Sequence, residues 1–447
     1  MNTIQKTDIY TGETIDFVET EIYFDGSTMI DLYIDNIIYI KESNTFYKRY
    51  IENHINVKWF GATGKDTNND NDTIAFQNAI DFCSRNASTL YIPEGVYRIT
   101  DSLKFPEVKP VNNDSKFGLK IFGENLSSII KFFGSNSSDK ILFDFYTNND
   151  IQIHMSNLVL IDQERSNNFA IRFGKLDRYS IFEKVRILEF GVGLIFQKAI
   201  YRITFNDIYI RGCKKHSILV DNSQLTNPLK NTLTEFVFNR CYIDNNGSGN
   251  IDGYHLSLYN CQEFKFNDCI FEGNFSFGLQ ITGSSENISF NNCRFEETFI
   301  NTEVSSGHIH SFENSTRNIV FRMCEIAYSS KGYIIEIDKD GCEIINYVKG
   351  NKNYSLFYIQ NNTKFEDCQF IDLSNENPEN VFGMTPDTAV VQVINPYLGI
   401  GNDYKLKIPN RYQFIKIGKL FVWENNNQTR SKIDFPLNDL DGQLGIL

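Results

Sequence analysis

Alternating apolar and polar residues, the mark of a half-buried strand, recur in nine-residue blocks through the second half of the chain. The blocks are ITFNDIYIR (203–211), FVFNRCYID (236–244), FKFNDCIFE (264–272), ISFNNCRFE (288–296), IVFRMCEIA (319–327) and TKFEDCQFI (363–371). Each block has an apolar or polar opening residue and then Phe two places on. Two bend residues follow, then Cys or Ile at a pivot, then another apolar residue two places beyond it. The pivots fall at 208, 241, 269, 293, 324 and 368, spaced by 33, 28, 24, 31 and 44 residues. The last spacing fits two turns of about 22 residues each. Weaker copies pivot at Leu158 and Val185.

Side chains in a strand alternate faces. The Phe three places before the pivot and the residue at the pivot do not share parity, so the chain must bend between them. Asn stands two places before the pivot in four of six copies: Asn206, Asn239, Asn267 and Asn291. Asn tolerates the left-handed conformation that such a bend requires, so these asparagines are expected to turn the corner. Each copy is then strand, corner, strand, and repetition at this period predicts a β-solenoid with one coil per copy. Three interior columns follow. One is Phe205, Phe238, Phe266, Phe290, Phe321 and Phe365; the second is Ile208, Cys241, Cys269, Cys293, Cys324 and Cys368; the third is Ile210, Ile243, Phe271, Phe295, Ile326 and Phe370.

The first half reads differently. IDLYIDNIIYIKESNTFYKRY is a hairpin pattern turning at residues 41–44. Phe76, Ala79, Ile80 and Cys83 share a face at helical spacing, with Asp72 placed to cap the helix. TLYIPEGVYRI (89–99) is strand, turn, strand. The last seventy or so residues lose the repeat, although QFIKIGKLFVWEN alternates again.

Composition sharpens this picture. With 447 residues, 41% hydrophobic and 14% aromatic, the chain has material for a large core, and 38 Phe against 9 Pro suits many short strands. The net charge of −13 argues against a nucleic-acid backbone as partner. No apolar run approaches the roughly 18–20 residues of a membrane helix, so membrane insertion is not expected. No apolar leader stands at the N-terminus. The nine cysteines are odd in number and contain no CxxC pair. Buried free thiols are therefore expected, not disulfides or zinc.

VKWFGATGKDTNNDNDTIAFQNAIDFC (57–83) and TLYIPEGVYRI (89–99) resemble the opening of the pectate-lyase superfamily of right-handed parallel β-helices. More narrowly, they resemble bacteriophage tailspikes that depolymerise capsular or O-antigen polysaccharide. Gly64-Lys65-Asp66 stands where that family has Gly-Asp-Gly, and Asn71-Asp72-Thr73 where it has Asp-Asp-Thr. The preceding NTFYKRYIENHINVKWFGA is similar to the connector placed before this block. GATGKD is not a phosphate loop, because its spacing is GxxGK and Asp66 replaces the required hydroxyl residue.

The resemblance implies an all-β, right-handed, single-stranded parallel β-helix with one N-terminal capping helix and a β-rich C-terminal segment. The expected organisation is a connector at 1–54, a β-helix at 55–375 and a cap or trimer-forming segment at 376–447. Within the β-helix, a cap region spans 55–150 and regular coils span 150–375. The resemblance further implies a homotrimer attached to a phage tail through its N-terminus. It places the protein in the virion, released by host lysis, or alternatively at a bacterial surface or outside the cell.

Candidate chemistry lies on the outward positions. Three places after each pivot stand Arg211, Asp244, Glu272, Glu296, Ala327 and Ile371; one place after stand Tyr209, Tyr242, Ile270, Arg294, Glu325 and Gln369. Coils stack at about 4.8 Å, so Asp244, Glu272 and Glu296 form a row of three carboxylates. Like charges at that spacing raise one another's pKa, which supplies the acid and the base or nucleophile of glycoside hydrolysis. Tyr209 and Tyr242 offer platforms for sugar rings, while Arg211 and Arg294 suit acidic sugars. Glu297 and Glu325 adjoin the row, and Asp252, Tyr254 and His255 lie on the intervening coil. Segments NSQLTNPLKNT and FINTEVSSGHIHS are expected as groove walls. His308 and His310 share a strand face without a third ligand, so no metal and no cofactor is expected. The expected function is endo-acting hydrolysis of a bacterial surface polysaccharide. A uronate lyase on the same fold and a non-catalytic glycan-binding tail or adhesin protein are the alternatives.

Overall fold

A computed structural model describes residues 2–24, 26–67, 70–86, 88–106, 117–134, 139–146, 151–176, 179–197, 200–221, 233–245, 254–273, 277–282, 285–296, 307–312, 317–328, 335–338, 355–358, 363–366, 369–372, 380–382, 391–394 and 397–398. The chain divides into two compact units, Met1–Arg186 and Ile187–Leu447.

The first unit opens with an antiparallel sheet in which Thr14–Glu19 lies between Thr3–Thr7 and Thr45–Arg49, with Tyr39–Glu42 beyond. The expected hairpin is present: Tyr39–Glu42 pairs with Thr45–Arg49, and Ser43 takes the left-handed turn position at φ 56°. Phe17, Ile40 and Tyr47 form its small core. Buried Arg49 pairs with Asp8 and lays its guanidinium 3.7 Å from the centre of the Trp59 ring.

The helix spans Thr73–Arg85 and buries Phe76, Ala79, Ile80 and Cys83, as its spacing predicts. Asp72 does occupy the N-cap position, but its side chain does not cap the helix. Its carboxylate instead accepts from the backbone N–H of Thr63 at 2.7 Å and of Arg98 at 3.0 Å, so it ties the preceding loop to the following strand. The GxxGK segment is likewise structural. Asp66 N–H donates to the Val96 carbonyl and Val96 N–H to the Gly64 carbonyl. Gly64 is required there: its φ is +62° and an added Cβ would lie 2.9 Å from the buried Tyr97 ring. Parallel ladders then carry the chain through Thr89–Ile92, Phe117–Gly123 and Ile151–Asp162.

From Tyr201 to Phe312 the second unit is built of coils with three strands each. One such coil is Tyr201–Asn206, Tyr209–Arg211 and His216–Val220; the next is Leu233–Asn239, Tyr242–Asn245 and Tyr254–Tyr259. Every strand pairs in parallel with its equivalent in the next coil, as Phe205↔Phe238 and Ile210↔Ile243 show. The chain is thus a right-handed parallel β-helix, and as far as Cys324 the interior columns lie where the pattern put them. Phe205, Phe238, Phe266, Phe290 and Phe321 are buried and stack face to face at 4.6, 4.8, 4.9 and 4.8 Å. Phe271 and Phe295 stack at 4.9 Å. All seven described cysteines are free and buried. The pivot thiols donate to backbone carbonyls of the preceding coil, Cys269 to Phe238 and Cys293 to Phe266.

The corner works differently from the sequence expectation. The left-handed residue is one place before the pivot: Asp207, Arg240, Asp268, Asn292 and Met323, at φ between 51° and 55°. Asn157 and Lys184 do the same before the weaker pivots Leu158 and Val185. The asparagines two places before the pivot have another task. Asn239 donates its side-chain amide to Asn206 at 2.9 Å, Asn267 to Asn239 at 2.9 Å and Asn291 to Asn267 at 3.0 Å. They form an amide ladder that satisfies half-buried polar groups from coil to coil. A second left-handed position, unannounced by the pattern, recurs within the strand before the corner at Arg202, Glu235, Glu263 and Asn287.

The spacing of 44 is not two coils in the ladder that carries the pivots, since Phe321 pairs directly with Phe365. The extra length places two strands, Ile335–Asp338 and Ser355–Tyr358, side by side in the other ladder. Parallel pairing continues to Tyr397–Leu398. The expected cap or trimer-forming function of 376–447 falls mostly outside the described residues.

Candidate functional site

The strands after the corner set the outward columns. Register pairs Arg211 with Asp244, Asp244 with Glu272, Glu272 with Glu296, and Glu296 with Ala327. The column one place after the pivot runs Tyr209, Tyr242, Ile270, Arg294 and Glu325. Alternation explains this placement: Ile210, Ile243 and Phe271 are buried between these outward residues.

The members of the row differ in environment. Asp244 is only 6% exposed although it stands on the outward face. Its pKa is raised, first by desolvation and also by the charge of Glu272, while Arg211 opposes the rise. Arg211 Nε lies 3.4 Å from Asp244 Oδ2, and about half of the Arg211 side chain remains exposed. Glu272 is half-buried and accepts a short hydrogen bond from the Tyr242 hydroxyl. The Tyr242 phenol is pushed well up by that bond and by burial. The Tyr209 and Tyr242 rings lie 5.3 Å apart, tilted by 34°.

The structure therefore brings together Tyr209, Arg211, Tyr242, Asp244 and Glu272. A carboxyl whose pKa is raised by burial sits one coil from a carboxylate that accepts the Tyr242 hydroxyl. This is the arrangement acid/base chemistry needs. Tyr242 is more than a platform, because its hydroxyl is committed to Glu272. Backbone register puts Glu296 and Glu325 in their columns, and Arg294 is exposed beside them.

The secondary candidates fare differently. His255 is buried and belongs to the ladder of His216–Val220 and Tyr254–Tyr259, not to the ladder of the carboxylates. Tyr254 shares that strand. Asp252, Glu297 and most of the two expected groove walls lie outside the described residues. Among the described residues no group of three or more His, Cys, Asp or Glu is arranged to hold a metal ion. No helix of the described residues is long and apolar enough to cross a membrane.

Sequence reasoning missed Glu189. It lies four places after the weak pivot Val185, one beyond the column that the pattern singled out. It takes a left-handed conformation at φ 66° and donates its backbone N–H to the Arg211 carbonyl at 2.9 Å. The consecutive outward carboxylates were the legible signal, and Glu189 is separated from them by Arg211.

The fold and the ladder define the class, a parallel β-helix of pectate lyase-like type. Residues 54–325 match the family described as "Rhamnogalacturonase A/epimerase, pectate lyase-like", and the chain belongs to that family. A curated relative, "Uncharacterized 65.4 kDa protein in cps region" from Klebsiella pneumoniae, is 25% identical over 340 residues, 73% of this chain and 54% of its own. The chain thus spans about half the length of that relative. Among solved structures, the gp42 tailspike of Acinetobacter phage vb_AbaP_AS12 has a TM-score of 0.55 at 12% identity, covering 89% of this chain and 68% of the tailspike. The catalytic unit of a GH87 alpha-1,3-glucanase from Streptomyces thermodiastaticus has a TM-score of 0.52 at 12% identity, covering 85% and 74%. These two likenesses establish the fold.

Proposed function

We propose that this chain is an endo-glycosidase that binds and depolymerises a bacterial capsular or O-antigen polysaccharide. The observation that carries the reading is the shielded Asp244 carboxyl one coil from Glu272, with a half-exposed Arg211 beside it. A phage tailspike, an alpha-1,3-glucanase and a relative from a cps region support the substrate class.

In this reading Asp244 is the acid. Its proton passes to the glycosidic oxygen as the bond from that oxygen to the anomeric carbon breaks. Glu272, held by Tyr242, supplies the electron pair that replaces the departing one. Water then displaces Glu272 and returns a proton to Asp244. Adjacent coils give a separation of about 5 Å, the distance of retaining chemistry. Glu296, two coils from Asp244, would give about 9–10 Å and inverting chemistry. Tyr209 carries a sugar ring, and Arg211 and Arg294 orient polar substituents. The assembly is a homotrimer of the virion, joined to the tail through residues 1–54, with the β-helix at 55–375.

The test is incubation of the protein with capsular and O-antigen polysaccharides. Product length, ultraviolet absorbance and the anomer first formed are read together. Shortened chains without new absorbance, released with retained configuration, are expected. New absorbance transfers the chemistry to β-elimination. Inversion replaces Glu272 with Glu296, and binding without shortening leaves a glycan-binding spike.

A further inference from the structure

We propose that Glu189 is a positioning residue for Asp244, acting through Arg211, whose backbone it holds from the coil before while Asp244 pairs with its guanidinium from the coil after. The inference rests on the reading of Asp244 as the acid. Three observations converge on Glu189. Its backbone is fixed to Arg211 by the N–H bond to the Arg211 carbonyl. Its carboxylate is laid over Gly212: a Cβ on that glycine would meet Glu189 Cδ at 2.9 Å and both carboxylate oxygens at 3.0 Å. Gly212 also has φ +72°, and its N–H donates to the Asp244 carbonyl at 3.1 Å. A residue with a side chain at 212 would push the Glu189 carboxylate off this place.

The charges around Arg211 follow from this geometry. Tyr209 on its own strand, Asp244 on the next coil and Glu189 on the preceding one all favour its charged form, Tyr209 most. Asp244 in turn faces Arg211 on one side and Glu272 on the other, with Tyr242 on its own strand. Arg211 is the group in this set that pulls Asp244 toward ionisation. A cation shared with a second carboxylate pulls less on the first. Glu189 therefore keeps the acid supplied with its proton without approaching the substrate itself.

Glu189→Gln keeps the shape and removes the charge. In the full chain, the alkaline limb of kcat against pH is expected to move to lower pH. At the pH where the wild type keeps half its activity, kcat should fall roughly threefold, with KM unchanged. Glu189→Asp should restore part of the shift, which a purely structural role would not predict. In an Arg211→Met background the Glu189→Gln change should move nothing. An unmoved profile, or an equal shift without Arg211, overturns the proposal.

A second readout needs no substrate. The change in melting temperature caused by Asp244→Asn is followed against pH, with and without Glu189→Gln. The Asp244-dependent part should move to lower pH when Glu189 is neutral, and its failure to move also overturns the proposal. A wild type that cleaves nothing while this titration moves as expected defeats the enzymatic reading and leaves the Glu189–Arg211–Asp244 relationship standing.

Discussion

The Tyr242 hydroxyl donates to the carboxylate of Glu272, on the next coil and two residues further along its strand. The bond fixes one oxygen of Glu272 as an acceptor. Tyr242→Phe removes the donor and leaves the ring that packs against Tyr209. The expected result is a fall in kcat of roughly tenfold with an unchanged melting temperature, whereas Glu272→Gln should cost about 10²–10⁴-fold. Steady-state rates and thermal melts on the same preparations check both.

Asp244 makes a prediction in the pH dimension. Its folded pKa is raised, chiefly by desolvation, so the native state favours the protonated form. The stabilisation this gives is fully present below the unfolded pKa of about 3.9 and is lost as pH rises through the folded value. Asp244→Asn cannot lose it. The variant should gain melting temperature relative to the wild type as pH rises through the acidic range, while losing activity throughout. A parallel pH dependence of the two proteins would refute the shift.

Asn239 stands in the middle of the amide ladder, donating to Asn206 and accepting from Asn267. Asn239→Ala breaks both bonds and leaves their partners half-buried. A loss of about 1–3 kcal/mol is expected from denaturant unfolding. Asn206→Ala, at an end of the run, should cost less.

Phe266 is fully buried and stacks on Phe238 at 4.8 Å and Phe290 at 4.9 Å. Phe266→Ala opens a cavity between two coils, with an expected loss of roughly 3–5 kcal/mol. Phe266→Leu should retain most of the stability, since its volume fills much of the space. Denaturation midpoints for the pair decide whether the stack acts by packing.

The fold was readable because a solenoid repeats one inward residue in every coil, so six aligned blocks fix the parity of each position. That parity places Arg211, Asp244 and Glu272 in one row from the sequence alone. The corner was misread because Asn has two properties at once. It tolerates a left-handed backbone and it carries an amide that both gives and takes hydrogen bonds. The ladder uses the second, and the left-handed position next to it holds Asp207, Asp268 and Asn292 but also Arg240 and Met323, so no single residue type marks it. Asp72 was misread in the same way, as a cap when its carboxylate ties a loop amide to a strand amide. The depth of Asp244 was not legible, because parity states which way a side chain points and not what lies over it.

The amide ladder, the phenylalanine stack and the pivot thiols all repeat with a period of one coil. A duplicated block of 24 to 33 residues would therefore meet, above and below, the same partners that its parent met. Such an insertion would lengthen the outward face while creating no mismatch inside. The architecture separates two kinds of change: the length of the outward face can vary by whole steps, and the Asp244–Glu272 pairing stays within a single step.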